Sequence, residues 1–348
     1  VNAQEVGRFV GGVTTQLEPF DWWSNRVATG IDYIQQRDQN FIPLDPDRPF
    51  GTESEGFRID SRTTSQIITF DAASTASYDL PGDLSARSTF GAQYFRTEDD
   101  VIGCEAQNFA SNSSIACDAA LTFSSSSNFV EIVELGAYTQ QRLSYRDYLH
   151  VTGALRIDDN SAFGTAQDAI WSPSVNGSAV LSRMPFWNVD AVNHLRLRMA
   201  WGKAAQAPEP YAADRTLRPV RLASAGGQIS GLSLQDPGNP ELTAERNEEF
   251  EVGLSAGLLG DRFQFDLTYF DQETTGAIVA TNVAPSSGFA GSQFVNVGAV
   301  SNRGLEASLD ALIVDNGTVN WHVTASASTQ DPVVESLGDR PPILLGAQ

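Results

Sequence analysis

Apolar and polar residues alternate with a period of two in window after window of this chain, and the 3.6-residue period of an amphipathic helix is almost absent. The clearest window is 148–158. There Leu149, Val151, Leu155 and Ile157 share one face of an extended strand, and Tyr148, His150, Thr152, Arg156 and Asp158 share the other. The window 194–202 sets Leu195, Leu197, Met199 and Trp201 against His194, Arg196, Arg198 and Gly202. In 248–258 the apolar set is Phe250, Val252, Leu254, Ala256 and Leu258, backed by Glu249, Glu251 and Ser255. Phe263, Phe265, Leu267 and Tyr269 then face away from Arg262, Gln264, Asp266 and Thr268. Similar windows near 5–17, 26–36, 64–80, 85–96, 132–145, 171–183, 300–313 and 318–328 predict about twelve strands in an all-β chain.

The links between these windows alternate in length. Short links fall at 19–25, 81–83, Arg146-Asp147, 184–192, Gly260-Asp261 and 315–317, where Asn316-Gly317 suits a type I′ hairpin. Long links fall between them at 37–63, 97–131, 159–170, 203–245 and 273–299. An antiparallel up-and-down transmembrane β-barrel produces this rhythm, because one end carries tight turns and the other long loops. A soluble extracellular β protein would share the alternating strands, but it has no reason to keep every long link at one end. In a barrel the apolar faces point to lipid and the charged faces to the lumen. Lipid offers the backbone no hydrogen-bond partner, so the sheet must close. Trp201 and Tyr269, near strand ends, suit an interfacial aromatic girdle.

Charge narrows the partners. With 43 acidic against 22 basic residues the formal net charge is -21, which argues against nucleic acid, since phosphate needs clustered Lys and Arg. Such charge serves solubility, with bridging of cations or lipopolysaccharide as the sharper alternative. No stretch approaches the eighteen or so apolar residues of a membrane-spanning helix. The opening VNAQEVGRFV lacks the features of a signal peptide, so any secretory signal is expected upstream. The two cysteines, Cys104 and Cys117, lie in a polar segment at a spacing that suits a loop disulfide worth roughly 3 kcal/mol; two free thiols are the alternative.

Catalytic patterns such as G-x-S-x-G, H-E-x-x-H, the Walker A loop and G-x-G-x-x-G are absent, so neither enzymatic activity nor a cofactor or metal site is expected. His150, His194 and His322 each follow a short turn on the polar face, on strands that are mostly not neighbours, and read as ordinary polar lumen residues. Asp158-Asp159-Asn160 could offer oxygens to calcium, but without the spacing of an EF-hand it reads as a strand exit. Arg156, Asp158, Arg196, Arg198, Glu249 and Glu251 are the candidate lumen-facing charges, placed to meet water, a plug or a substrate. The loop 203–245, long and rich in Gly, Pro, Ala and Arg, is the candidate for contact with a substrate or a lid.

Several strings carry a family resemblance. Gly136-Ala137-Tyr138-Thr139-Gln140-Gln141 with Leu143-Ser144, followed by Ala154-Leu155-Arg156-Ile157-Asp158-Asp159-Asn160-Ser161-Ala162-Phe163-Gly164, resembles paired mid-barrel strands of SusC/RagA-type TonB-dependent receptors. The order continues through Leu195 to Gly202, with Gln206 and Pro208. It then runs through Asn239-Pro240-Glu241-Leu242, Glu245-Arg246 and Glu248 to Leu259, and ends in Asn302-Arg303-Gly304-Leu305-Glu306. These collinear matches cover roughly 130–330, and the earlier third fits by pattern alone. The resemblance implies a bacterial outer-membrane barrel of about 22 strands around a plug. It would take up an oligosaccharide, peptide or metal chelate with energy passed from TonB, often beneath a SusD-like lipoprotein. Long loops would be extracellular and short turns periplasmic, amid outer-membrane lipid and lipopolysaccharide. No plug or TonB box occurs in residues 1–348, so the chain is expected to be a single partial barrel domain that needs further strands, with both ends on the extracellular side. A structural or surface-scaffold role without transport is the alternative.

Overall fold

The computed structural model describes residues 2–45, 47, 52–113, 115–164, 167–224, 227–289 and 291–338. One 12-stranded sheet dominates. Its strands are β1 (Asn2–Phe20), β2 (Trp23–Ile42), β3 (Phe57–Leu80), β4 (Leu84–Phe109), β5 (Ala120–Tyr145), β6 (Leu149–Asn160), β7 (Ile170–Val180), β8 (Val192–Gln206), β11 (Glu245–Leu258), β12 (Phe263–Thr275), β15 (Ala299–Asp315) and β16 (Asn320–Ser336). Two hairpins stand apart from it: β9 (Leu217–Ser224) with β10 (Gly227–Leu234), and β13 (Ile278–Asn282) with β14 (Ser292–Asn296). Each strand of the large sheet lies beside its predecessor in that sheet, the order of an up-and-down meander.

Register shows why the alternating pattern extends across strands. Val151 pairs with Gly177 on β7, which pairs with Met199 on β8. Met199 pairs with Val252, Val252 with Tyr269, and Tyr269 with Leu305. One row lower Leu197, Leu254, Leu267 and Ala307 are aligned. Directly opposed residues share a face, so a one-residue slip would have mixed the two sets. One face from β6 to β15 is therefore continuously apolar, and the other carries Arg, Asp, Glu, Ser and Thr.

Among the described residues no second layer covers this apolar face. Leu149, Val151, Leu155, Val175, Leu197, Met199, Val252, Leu305 and Leu309 all rank among the exposed large hydrophobics. The described residues with buried apolar side chains lie mainly at the long-loop end instead.

By contacts the chain divides into two units. The first, Val1–Leu17, Arg26–Ala72 and Ala92–Leu135, has a small core of Ala106, Phe109 and Ala120. The ring of Phe41 meets Phe109 edge-on at 6.3 Å, and Asn112 bonds the backbone of Leu44 in both directions, at 2.7 and 2.9 Å. Cys104 and Cys117 form a disulfide beside this core. The second unit holds the remainder, including β6 to β16.

Several boundaries differ from the alternation pattern. The link 97–131 is largely strand and 37–63 is strand at both ends, since β2 runs to Ile42, β3 begins at Phe57, β4 runs to Phe109 and β5 begins at Ala120. Polar runs such as Ser124-Ser125-Ser126-Ser127-Asn128 and Glu98-Asp99-Asp100 interrupt the period-two signal in these extensions. The links 203–245 and 273–299 contain the two small hairpins. The Asn316-Gly317 turn is not type I′, which needs positive φ at both central residues, because only Gly317 has it (φ 77). Asn316 works through its side chain, its Oδ1 accepting from the N–H of Thr318 at 3.1 Å and of Val319 at 2.8 Å.

Candidate functional site

The polar face is built around Arg198. Its guanidinium reaches past β11 to β12, donating to Ser255 Oγ at 2.9 Å, Asp266 Oδ1 at 3.1 Å and Thr268 Oγ1 at 2.6 Å. The crossing requires Gly253, because a Cβ there would stand 2.3 Å from Arg198 Nε. Ser255 also donates to Asp266 at 2.5 Å, so the carboxylate is held from two strands. Beyond it, Glu306, Ser308 and Ser328 complete a hollow of about 380 Å³. A glycine at a polar-face position in mid-strand was the available signal for this slot, and the alternation pattern passes over it.

The other candidate charges fall into place around this centre. Arg196 pairs with Ser255 on the same face, while Glu249 and Glu251 lie on β11 opposite Gln272 and Phe270. Arg156 and Asp158 lie on β6, separated from β8 by β7, and pair with each other at 2.6 Å. Arg196, Arg198, Glu249 and Glu251 thus share the polar face of the adjacent strands β8 and β11, and Arg156 with Asp158 lies apart on β6. The Arg156–Asp158 pair lies over Gly136, where a Cβ would approach Arg156 Nη2 to 2.3 Å. Asn160 caps the following turn, accepting from the Ala162 N–H at 2.8 Å. Asn160 therefore serves the strand exit, while Asp158 is held by Arg156.

The histidines do not converge. His150 Nδ1 lies 2.9 Å from Ser144 Oγ, His194 pairs with Gly257, and His322 Nε2 lies 2.7 Å from Asp310 Oδ1.

The apolar face has a charged and aromatic upper border. Trp201 Nε1 donates to Glu248 at 2.8 Å, Lys203 pairs with the same carboxylate at 2.8 Å, and Arg303 pairs with Asp271 at 3.1 Å. At the short-turn end Phe20, Trp22 and Trp23 stack, and Tyr145 meets Tyr148 edge-on at 5.6 Å. From Phe250 to Leu258, β11 rises roughly 26 Å at about 3.3 Å per residue. A tilt near 40° reduces this to roughly 20 Å, the scale of the outward apolar band of a membrane barrel.

In the first unit the loop ends of the strands carry charge. Asp60, at the loop end of β3 and well outside the ten or so residues a tilted strand needs to span hydrocarbon, accepts from Arg37 at 2.8 Å, Gln39 at 2.8 Å and Arg58 at 2.6 Å. Its hydrogen bond to Arg37 foremost, aided by Gln39 and Arg58 and opposed by partial burial, holds the Asp60 carboxyl well below the usual carboxylate range.

The long loops of the second unit form an ordered layer. Leu242, at 0% exposure, lies at its centre, and Ala162, Ala213 and Ala244 are buried as well. Asn296 Nδ2 donates to the carbonyls of Thr243 and Gly276, both at 2.8 Å, and its Oδ1 accepts from the Thr243 N–H at 2.8 Å. Asn239 donates to the Phe294 carbonyl at 2.9 Å. Gly164 lets a third loop approach, since a Cβ there would stand 2.9 Å from the Leu242 carbonyl. The Asn239-Pro240-Glu241-Leu242 string therefore acts as a staple between loops.

A meandering sheet with one lipid-compatible face, one polar face and ordered long loops at one end is the wall of a membrane-spanning β-barrel. The chain belongs to the family described as TonB dependent receptor-like, beta-barrel, which matches residues 3–343 and implies an outer-membrane location. TonB-dependent receptor P26 of Formosa agariphila is 29% identical over 197 residues, covering 56% of this chain and 20% of that protein. TonB-dependent receptor P3 of the same organism is 22% identical over 230 residues, 63% of this chain and 22% of that one. Among solved structures, the RagAB peptide importer in its closed-closed state matches 97% of this chain and 37% of its own, at 20% identity and a TM-score of 0.88. The transporter YddB from Escherichia coli matches 94% and 43%, at 13% identity and a TM-score of 0.63. The chain thus spans about a fifth of the curated relatives it matches, and these structural likenesses speak for the fold alone. The SusC/RagA-like resemblance fits these findings.

Proposed function

We propose that this chain forms part of the barrel wall of an outer-membrane TonB-dependent transporter for a nutrient too large for porins: an oligosaccharide, a peptide or a metal chelate. In this reading the short turns face the periplasm and the long loops the exterior. The apolar face meets lipid and lipopolysaccharide, and further strands complete the barrel around a plug that engages TonB. A SusD-like lipoprotein would cover the loop layer. Arg196, Arg198, Glu249 and Glu251 face the lumen, where they contact the plug or the passing substrate. RagAB, similar in fold, is a peptide importer, which makes peptide the first substrate class to test.

The observation that carries the proposal is the register-matched apolar face from β6 to β15, opposed by a polar face, in a chain of this family. Deleting the full-length gene should abolish uptake of one of these nutrient classes, and removing TonB should have the same effect. Unchanged uptake of all three in both strains, with the protein found in the outer membrane of the parent strain, would instead assign it a scaffold role.

A further inference from the structure

We propose that the cleft between the 207–244 and 276–298 loops binds an apolar group bearing a carboxylate, of the kind presented by the C-terminal residue of a peptide. This deepens the transport reading and rests on it for placing the cleft on the exterior side.

The cleft measures about 500 Å³, within the range of small-ligand pockets. Pro237, Pro240, Val283 and Phe289 supply apolar walls, and Arg215 lines it as well. The walls are fixed before any ligand arrives. Asn239 ties one loop to the Phe294 carbonyl, Gln293 Nε2 donates to the Gly238 carbonyl, and the turn Pro285–Ser287 presents Phe289, itself only 8% exposed. Gly238 sits at φ 61 where a Cβ would stand 2.3 Å from the backbone of Asp214, which draws the 237–240 wall against the segment carrying Arg215.

Side-chain donors in and beside the cleft other than Arg215 have partners within the protein. Ser287 Oγ donates to the Ala284 carbonyl at 2.7 Å, Gln293 is committed to Gly238, and nearby Asp236 accepts from Thr216 Oγ1 at 2.8 Å. The Arg215 guanidinium lies 5.7 Å from the Phe289 ring, and no ion pair joins it to a carboxylate among the described residues. Its in-plane N–H groups remain available, and the guanidinium fork matches a carboxylate with two parallel bonds. A sugar would bring many hydroxyls to apolar walls with few free partners. An apolar side chain next to a carboxylate satisfies both walls and fork.

The test uses the purified full-length receptor in detergent, titrated calorimetrically with N-acetylphenylalanine and, separately, N-acetylphenylalaninamide. The acid should bind about tenfold more tightly than the amide, the loss of one charge-assisted bidentate contact. Arg215→Gln should erase that preference, Arg215→Lys should keep part of it, and Val283→Trp should weaken both probes by filling the cleft. Heat-modified gel mobility checks that each variant is folded. Equal binding of acid and amide, binding of neither at millimolar concentration, or an undiminished preference in folded Arg215→Gln would overturn the proposal. Loss of the transport reading with the acid preference intact would leave this site standing, and intact uptake without the preference would remove only the site.

Discussion

On the sheet, Met199 stands 56% exposed in a row of exposed apolar neighbours; in the loop layer of the same unit, Leu242 is completely buried. Both regions are ordered, yet only the loops contain what a soluble protein would call a core. Burial of apolar area stabilises a fold where water is the alternative. The loops meet that condition and the outward face of the sheet does not. That face is therefore shaped for a different solvent, and the strand-to-strand pairing of its backbone from β8 through β11 and β12 to β15 suits one without water. The same physics predicts that the two regions respond differently to the same kind of change.

The largest effect should come from charge on the apolar face. Met199→Arg in the full-length receptor should cost about 2–4 kcal/mol in the bilayer, whereas Thr152→Arg on the polar face should cost little. Urea unfolding from lipid vesicles measures both, and equal costs would erase the distinction between the faces. In the loops, Leu242→Ala should cost about 2–5 kcal/mol but act locally. Limited proteolysis should then cut within 207–244 or 276–298 while heat-modified gel mobility still reports an intact barrel; loss of the barrel would show that loops and sheet are one cooperative unit. On the polar face, Gly253→Leu should displace Arg198 at about 1–3 kcal/mol, and adding Arg198→Ala should recover part of the loss. A strictly additive double variant would contradict the crossing of Arg198 above Gly253. The smallest change should follow Asp271→Asn, which removes the exposed pair with Arg303 and should shift stability by about 1 kcal/mol or less.

Much of the sheet was legible because alternation is a direct imprint of two unlike solvents. Where polar runs such as Ser124 to Asn128 occupy both faces the imprint breaks off, and the extensions of β2, β3, β4 and β5 passed for loops. The charges Arg196, Arg198, Glu249 and Glu251 could be placed on one face from parity alone. Their partners could not, because the reach of Arg198 to Asp266 depends on registers that join β8, β11 and β12. Asn239 and Asn296 were least visible: their role is to bond backbone across loops distant in sequence, and nothing local to either residue encodes that. The Asn316-Gly317 turn shows the opposite error, in which a strong local signal was used by the fold in another way.

The most direct test of the central claim is a spin-label scan along β8 of the full-length receptor in lipid vesicles, with single cysteines replacing Leu195, Arg196, Leu197, Arg198 and Met199 in turn. Labels at 195, 197 and 199 should be relaxed strongly by oxygen, which partitions into lipid, and those at 196 and 198 by a water-soluble nickel chelate or by neither reagent. Equal exposure of all five to the chelate, or an alternation of opposite phase, would contradict a lipid-facing apolar face.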